Sequence, residues 1–251
     1  MCRSLHSRFS SLALLVIVVL AGCNVASTNS NLSGVTAFQQ GNYQVADNYF
    51  RQAIQNDPAN ADAYYNLGAN FHRMAKLQNR PIDYQQAESY YQQALARNPN
   101  HADCYRGLAV LLAEQNRGPE AIAMVQRWGQ ISPQSSAPYI ELARLNDEFG
   151  NKGAAQDALV QAIRNDPNNA RALAALGKLR EEAGDYAQAT LNYQRSLASN
   201  PNMPAVQQRV AALQQSMISP YGQPYQTGPN GGRIAAQPGY SNPNQPPGGF
   251  R

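Results

Sequence analysis

Apolar residues recur three and four positions apart along most of the chain, from about residue 27 to residue 216. This spacing is typical of amphipathic helices, which turn one apolar face towards a core. Glycine, asparagine and proline interrupt the pattern at regular intervals, where turns are expected. The pattern predicts first helices at about 27–40, 61–79, 102–115, 136–149 and 170–183, and second helices at about 43–56, 84–97, 119–131, 153–165 and 187–199. A last amphipathic segment, 204–216, is predicted to cap the array with Val206, Val210 and Leu213.

A short phrase around proline marks an internal repeat. It reads Asn-Asp-Pro-Ala-Asn at 56–60 and Asn-Asp-Pro-Asn-Asn at 165–169. The prolines lie at 58, 99, 133, 167 and 201, so the last three intervals are 34 residues and the first is 41. Each proline is preceded in register by an alanine, by a larger apolar residue and by a small residue further upstream. In that order the three sets are Ala46, Ala87, Ala121, Ala155 and Ala189; Phe50, Tyr91, Val125, Leu159 and Tyr193; and Gly34, Gly68, Ala109, Ala143 and Gly177.

This register of small, aromatic and proline positions resembles the tetratricopeptide repeat (TPR), over roughly residues 27 to 201. The resemblance implies an all-α fold, a right-handed α-α superhelix with five repeats at about 27–60, 61–101, 102–135, 136–169 and 170–203 and a cap at 204–216. The residues agree physically, because small side chains let two helices approach closely, a turn glycine supplies a positive φ, and proline ends the second helix. No single pair can bury its apolar face, so neighbouring pairs must stack.

The second repeat departs from the period by seven extra residues, around 77–83. Seven residues make about two helical turns. We therefore expect each helix of this pair to be one turn longer, with Pro81 at the bend and the pair protruding from one edge. The alternative is a surface loop, which loop entropy tolerates cheaply.

Trp128 stands where other repeats carry Ala53, Ala94 and Ala162. In one interpretation the indole fills a loosened junction between repeats, with Gly129 easing the fit. In the other it is an exposed binding anchor, since tryptophan is enriched at interaction hot spots.

The resemblance also implies that first helices line a groove that binds protein segments. By register, the candidate groove residues are Tyr65, His72, Arg73, Arg106, Arg144, Arg171 and Lys178. Arg106, Arg144 and Lys178 could form a basic line suited to an acidic segment. Acidic residues stand close to all three in the sequence, so a solvated and internally paired face is the competing interpretation, and the one we favour.

The first residues have the pattern of a lipoprotein leader. Arg3 and Arg8 precede an apolar run at 12–20 that is too short to span a bilayer and matches a signal peptide, predicted here at 1–22. Leu20-Ala21-Gly22-Cys23 resembles the lipobox of bacterial lipoproteins. The resemblance implies acylation of Cys23, palmitate included, and a polar tether at 23–30 before a solenoid at 31–216. Asn24 favours the outer membrane, facing the periplasm. An ordinary signal peptide with a chance cysteine is the alternative.

Charge and side-chain inventory exclude several function classes. Without the leader the formal charge is about +2, which gives no reason to expect nucleic-acid binding. The histidines and cysteines are not spaced as metal ligands, and no nucleophile elbow, metal-binding helix or phosphate loop occurs. We therefore expect no cofactor and no enzyme. Residues 217–251, rich in proline and glycine, are predicted to be a disordered tail whose tyrosines offer an alternative binding element.

Together these features are similar to TPR lipoproteins of pilus assembly, of the type IV pilotin and Flp-pilus TadD families. The resemblance implies a protein-binding scaffold, anchored by lipid in the cell envelope, whose partners are other envelope proteins or peptide segments. The alternatives are an envelope adaptor that docks peptidoglycan hydrolases and a component of outer-membrane protein insertion.

Overall fold

The computed structural model describes residues 25–217 and the pairs 226–227 and 233–234. These residues form eleven helices and two short strands. The helices are α1 (25–39), α2 (Tyr43–Asn56), α3 (Ala61–Gln78), α4 (Pro81–Arg97), α5 (Ala102–Glu114), α6 (Gly118–Ile131), α7 (Ala137–Glu148), α8 (Lys152–Asn165), α9 (Ala170–Glu182), α10 (Tyr186–Ser199) and α11 (Pro204–Met217). The strands β1 (Gln226–Thr227) and β2 (Arg233–Ile234) pair antiparallel.

The chain divides into two compact units, one ending at Asn165 and the other beginning at Asp166. In the first unit, α1 to α8 make four helical pairs, and one buried cluster extends from Ala37 to Leu145. In the second unit, α9 and α10 make a pair on which α11 packs through Val206 and Leu213. The predicted all-α repeat fold is therefore confirmed, and helix boundaries agree with the predicted ones to within a few residues.

The turn inside each pair uses one residue in the left-handed region. Gly41, Gly150 and Gly184 have φ near +80°, a conformation that glycine adopts without steric cost. In the second and third repeats Asn79 and Asn116 take this position with φ of 50° and 60°. Asparagine is among the few other residues that tolerate this region, which explains why repeats without the turn glycine still close.

The proline phrase links one pair to the next. The residue before proline ends the second helix, and its side chain accepts a hydrogen bond from the backbone two residues later, as Asp57 does from Ala59 at 2.9 Å and Asn98 from Asn100 at 3.0 Å. The last residue of the phrase then caps the following helix, since Asn60 accepts from the Ala63 amide at 3.0 Å. At 57–60 and again at 166–169 the phrase therefore satisfies backbone groups that both helix ends leave unpaired.

Contact between the two helices of a pair depends on the small residue of the first helix. A methyl group on Gly34 would lie 2.5 Å from Cε1 of Phe50, closer than packed carbon atoms can approach. Gly68 has the same relation to Tyr91 and Gly177 to Tyr193, with distances below 3.0 Å. Where the first helix carries Ala109 or Ala143 instead, its partner position holds the smaller Val125 or Leu159, so side-chain volume is balanced within each pair.

The insertion in the second repeat lengthens both helices. Helix α3 has 18 residues and α4 has 17, whereas the first and second helices of the next repeat have 13 and 14. Pro81 occupies the first turn of α4, where its missing N–H costs no hydrogen bond. The alternative of an irregular loop is therefore wrong. At the tip, the apolar side chains of Leu77 and Ile82 are 55% and 51% exposed.

The first helix, predicted at 27–40, begins two residues earlier, at residue 25, and takes in most of the predicted tether at 23–30. Residues 25–30, assigned from the sequence to a tether, are helical. Ser27 accounts for this start, because it is fully buried, donates a hydrogen bond to the Ala53 carbonyl at 2.9 Å and accepts one from the side-chain Nδ2 of Asn60 at 2.9 Å. These two bonds fix the start of α1 to the end of α2 and to the following turn.

Several sequence predictions concern residues outside this description. The signal peptide at 1–22, Cys23 and Asn24 lie outside the described residues, as does most of the tail predicted at 217–251, apart from Met217 and the two short strands. Within the described part of the chain, every helix is too short or too polar to cross a bilayer.

Gly34→Ala is expected to destabilise the protein by about 1–3 kcal/mol, because the new methyl group overlaps the Phe50 ring. Adding Phe50→Leu recreates the alanine–leucine pair seen at Ala143 and Leu159. We therefore expect the double variant to lose less free energy of unfolding than the two single variants lose together. The difference should be roughly 0.5–3 kcal/mol. Urea unfolding followed by circular dichroism measures all three variants.

Gly153→Ala is the matched control, since a methyl group on Gly153 meets nothing within 4 Å. Greater helix propensity should stabilise this variant by up to about 1 kcal/mol. Equal stability of the Gly34→Ala and Gly153→Ala variants would contradict the packing argument.

Candidate functional site

The residues predicted to line a groove lie on the first helices of the pairs. Tyr65, His72 and Arg73 are on α3, while Arg106 and Arg144 are on α5 and α7. Within the first unit α3 contacts α5 and α5 contacts α7, so these helices form one continuous surface. Arg171 and Lys178 are on α9 and belong to the second unit.

Tyr65 and His72 connect successive repeats. The half-buried Tyr65 ring packs 5.9 Å from the Tyr91 ring and 5.0 Å from His101, and burial raises the pKa of its hydroxyl group. His72 is buried, with Nε2 2.9 Å from Oε2 of Glu114 on α5. Both side chains are therefore engaged in packing α3 against its neighbours.

Glu114 has a second partner, because Lys76 Nζ lies 2.6 Å from its Oε1. Burial by itself would raise the pKa of Glu114, but the hydrogen bonds from Lys76 and His72 outweigh it and the pKa is lowered. The carboxylate is thus ionised at neutral pH and ties α3 to α5 on the surface that the first helices share.

The proposed basic line consists of cations that already have acidic partners. Arg106 pairs with Asp103. Arg144 lies 2.6 Å from Glu141 and 2.7 Å from Glu148, and Lys178 lies 3.4 Å from Glu182. Every pair is formed within one helix. These contacts agree with the interpretation of an internally paired face. They do not agree with three unneutralised cations that attract an acidic segment.

The two remaining groove candidates differ in their contacts. Arg73 is exposed, and its Nε donates to the Tyr43 hydroxyl at 3.3 Å, which joins α3 to the start of α2. Arg171 is exposed near the start of α9.

Of the two interpretations of Trp128, the structure agrees with the one that we favour, an indole buried at the junction between repeats, and the exposed anchor is wrong. Its side chain is 2% exposed and stacks on Tyr105 of α5, with ring centroids 4.8 Å apart and planes 5° apart. The stack explains the burial, because an indole gains a large apolar contact there that water cannot supply. Gly129 is not required for the fit, since a methyl group there would lie 3.8 Å from Pro138 in ordinary contact.

An open pocket of about 630 Å³ lies in the second unit, between α9, α10 and α11. The apolar part of its lining, which we call its floor, consists of Ala174, Ala175, Ala205 and Val206 of α9 and α11. Tyr186 and Tyr193 of α10 stand at its side, and Lys178, Glu181, Glu182 and Arg209 complete the lining. We refer to these ten residues as the α9–α11 pocket.

Glu181 organises the polar side of the α9–α11 pocket. Its carboxylate accepts a hydrogen bond from the Tyr193 hydroxyl at 2.9 Å and is held by both Nε and Nη2 of Arg209. A two-point arginine–carboxylate contact is directional and connects α9 to α11. Since Lys178 also pairs with Glu182, the four charges of the pocket cancel and its floor remains apolar.

Lys178 lines this pocket and is also one of the groove residues predicted from the sequence. The 34-residue period offers a signal for others, because it places Arg209 one repeat after Ala175 and Ala205 one repeat after Arg171. The contact of Arg209 with Glu181 crosses 28 residues and follows no periodic rule. It depends on how α11 is placed against α9.

A second groove, of about 550 Å³, lies in the first unit between α4 and α6. Its floor is Tyr105, Leu108 and Leu112 of α5. Arg117 closes one end by binding Glu88 at 2.6 Å and Glu120 at 2.7 Å. Sequence reasoning missed this groove, because it considered only the surface of the first helices.

Cys104, the free cysteine of the described part of the chain, lies in the core. Cys104 is buried, donates to the Tyr91 carbonyl at 3.1 Å, and burial raises the pKa of its thiol to about 12. It is therefore a neutral packing group at physiological pH. Across residues 25–217, no cluster of histidine, cysteine and carboxylate side chains has the composition of a metal site.

Comparison with known proteins gives a consistent result for the fold. Models of the tetratricopeptide repeat family match residues 34–74, 83–137 and 140–204. No curated protein matches the sequence.

Several solved structures are similar to the chain. A thermophilic TPR protein of Thermus thermophilus has 19% identity and a TM-score of 0.57, over 76% of this chain and 100% of that protein. The pilF protein of Pseudomonas aeruginosa has 19% identity and a TM-score of 0.56, over 78% of this chain and 92% of pilF. A repeat protein of Parabacteroides merdae has 15% identity and a TM-score of 0.55, over 83% and 80%. At these sequence identities, the similarity shows a shared fold and nothing more.

Trp128→Ala is expected to destabilise the first unit by about 3–5 kcal/mol, the usual cost of removing a buried tryptophan side chain. Trp128→Phe should cost less, because it retains a ring that can stack on Tyr105. Trp128 is the single tryptophan, so its fluorescence reports this site alone. Emission that does not shift to the red on urea unfolding would show that the indole is already in water.

Proposed function

Because the chain belongs to the tetratricopeptide-repeat proteins, we propose that it is a lipid-anchored scaffold of the bacterial cell envelope that holds segments of other proteins. TPR proteins mediate protein–protein interactions. The observation that carries the proposal here is the α9–α11 pocket, with its apolar floor and its mutually neutralised charges. Folds of this kind are typically not enzymes, and the proposed function includes no catalytic step.

The form of the pocket suits a side chain of a bound peptide. Its volume of about 630 Å³ falls in the range of ligand-binding clefts, and burial of an apolar side chain gains roughly 25 cal/mol for each Å² removed from water. Because Glu181 is already satisfied by Tyr193 and Arg209, a ligand has no strong charge to meet. We propose that the partner is recognised by shape and apolar contact, with the paired rim as a polar border.

The anchor in this proposal rests on the lipobox, Leu20-Ala21-Gly22-Cys23, and outer-membrane placement on Asn24. A single acyl chain binds membranes only marginally, whereas several chains hold a protein stably. Acylation of Cys23 would therefore be sufficient to retain the repeats at the membrane surface.

Pilus assembly is the pathway we propose. A lipobox followed by five regular repeats is the combination that resembles pilus-assembly lipoproteins. The P. aeruginosa protein pilF is among the solved structures with a similar fold, at 19% identity. The partner would then be another envelope component of the same machine.

Cys23→Ala is expected to move the protein from the membrane fraction to the soluble fraction and to abolish labelling with radioactive palmitate. The matched control is Cys2→Ala, which removes a cysteine of the leader and should leave fractionation unchanged. Membrane retention of the Cys23→Ala variant would refute the lipid anchor.

Ala205→Glu tests the pocket, because a glutamate at this exposed lining position adds a bulky charged side chain to the apolar surface and, four residues before Arg209, can draw that arginine away from Glu181. Ala187→Glu is the control at an exposed position of α10 that does not line the pocket. In affinity capture from detergent-solubilised envelopes, we expect the Ala205→Glu variant to lose partners about tenfold, the effect of 1.4 kcal/mol. Equal recovery by the two variants would reject the pocket as the binding surface.

A further inference from the structure

The α9–α11 pocket has an electrically neutral rim and an apolar floor. Glu181 is neutralised by Arg209, and Lys178 lies beside Glu182. Ala175 and Ala205 contribute only methyl groups to the lining, and of the two tyrosines beside them Tyr193 is buried while Tyr186 is 36% exposed. The chemistry that matches such a pocket is an uncharged segment carrying a flat, amphipathic ring.

The chain itself supplies a segment of this kind directly after α11. Residues 218–232 contain no charged side chain, and they include Tyr221 and Tyr225. Tyrosine provides a large apolar face together with a hydroxyl group that can remain at a polar rim. Pro220 and Pro224 restrict the free segment, which lowers the entropy lost when it is held in place.

The lengths allow the segment to return to the pocket. Arg209 precedes the last residue of α11, Met217, by eight positions, a distance of about 12 Å along a helix. Tyr221 follows Met217 by four residues, which span at most about 14 Å, and Tyr225 follows by eight, which span about 28 Å. The Tyr225 ring can therefore reach the level of Arg209 if the chain reverses after the helix, and Gly222, which precedes it, permits a tight turn; Tyr221 reaches that level only if the four residues before it return almost straight.

We propose that the α9–α11 pocket is the docking site of residues 218–225 of the same chain, with Tyr221 or Tyr225 against its alanine floor. The contact is intramolecular, so the segment is present at an effective concentration in the millimolar range and weak contacts suffice to hold it. The docking itself is independent of the proposed function. One consequence rests on that function, namely that a partner segment must displace the tail before it can enter the pocket.

Photo-crosslinking in the full chain tests the docking. Tyr221 and Tyr225 are replaced one at a time by p-benzoylphenylalanine, the protein is irradiated, and cross-linked peptides are identified by mass spectrometry. We expect intramolecular cross-links to Ala174–Lys178 or Ala205–Arg209 in a product of monomer mass. The same probe at Gln245, which lies 20 residues further along the chain than Tyr225, should give these cross-links in much lower yield.

Substitutions in the pocket distinguish docking from chance proximity. Ala175→Glu and Ala205→Glu should each lower the yield about tenfold, as a change of 1.4 kcal/mol in the docking equilibrium would, whereas Ala187→Glu should leave it unchanged. Ala205 is exposed, so its variant keeps the test valid if Ala175→Glu disturbs folding, which circular dichroism will reveal. Yields unaffected by both pocket variants, or cross-links that join two chains, would overturn the proposal. Partner capture can succeed or fail independently of either result.

Discussion

Close contact between a small residue on one helix and a ring on its partner sets the geometry of the repeats that carry it. At Gly34 and Phe50 the helices are so near that a single added methyl group would collide with the ring. The same contact recurs at Gly68 with Tyr91 and at Gly177 with Tyr193, and the remaining pairs reach a similar fit with alanine and a smaller partner. Within the first unit, where successive pairs share one buried cluster, an error in this distance would be passed from one pair to the next.

The sequence predicted the elements of this architecture well because they follow local rules. Period, turn chemistry and helix length are decided within about forty residues, and even the extra turns of α3 and α4 follow from counting residues around Pro81. The tether assigned to 23–30 overlapped the predicted first helix, because the residues there are polar, and the structure shows helix from residue 25. Ser27 becomes helical through bonds to Ala53 and Asn60, which are 26 and 33 residues away.

The candidate site was harder to predict than the fold. Register placed the candidates on the first helices, and nearby acidic residues favoured the pairing that Arg106 and Arg144 make within their own helices, but register alone gives no distance between the charges. Trp128 illustrates the same difficulty, because whether an indole is exposed depends on the presence of a ring such as Tyr105 opposite it. The α9–α11 pocket combines side chains from three helices, and only their placement in space brings Glu181, Tyr193 and Arg209 together.

The early start of α1 bears on how freely the protein could search for partners. Helical structure is present at residue 25, two positions after Cys23, and two residues span only about 7 Å. If Cys23 carries lipid, the connection between the lipid and the first repeat is at most two residues long, so the repeat would be held close to the lipid headgroups. Encounters would then be confined to a thin layer above the membrane, and the bilayer would restrict the directions from which another molecule can approach. A short connection to the lipid therefore limits how far the repeats can extend from the membrane, and in return fixes how they are oriented towards it.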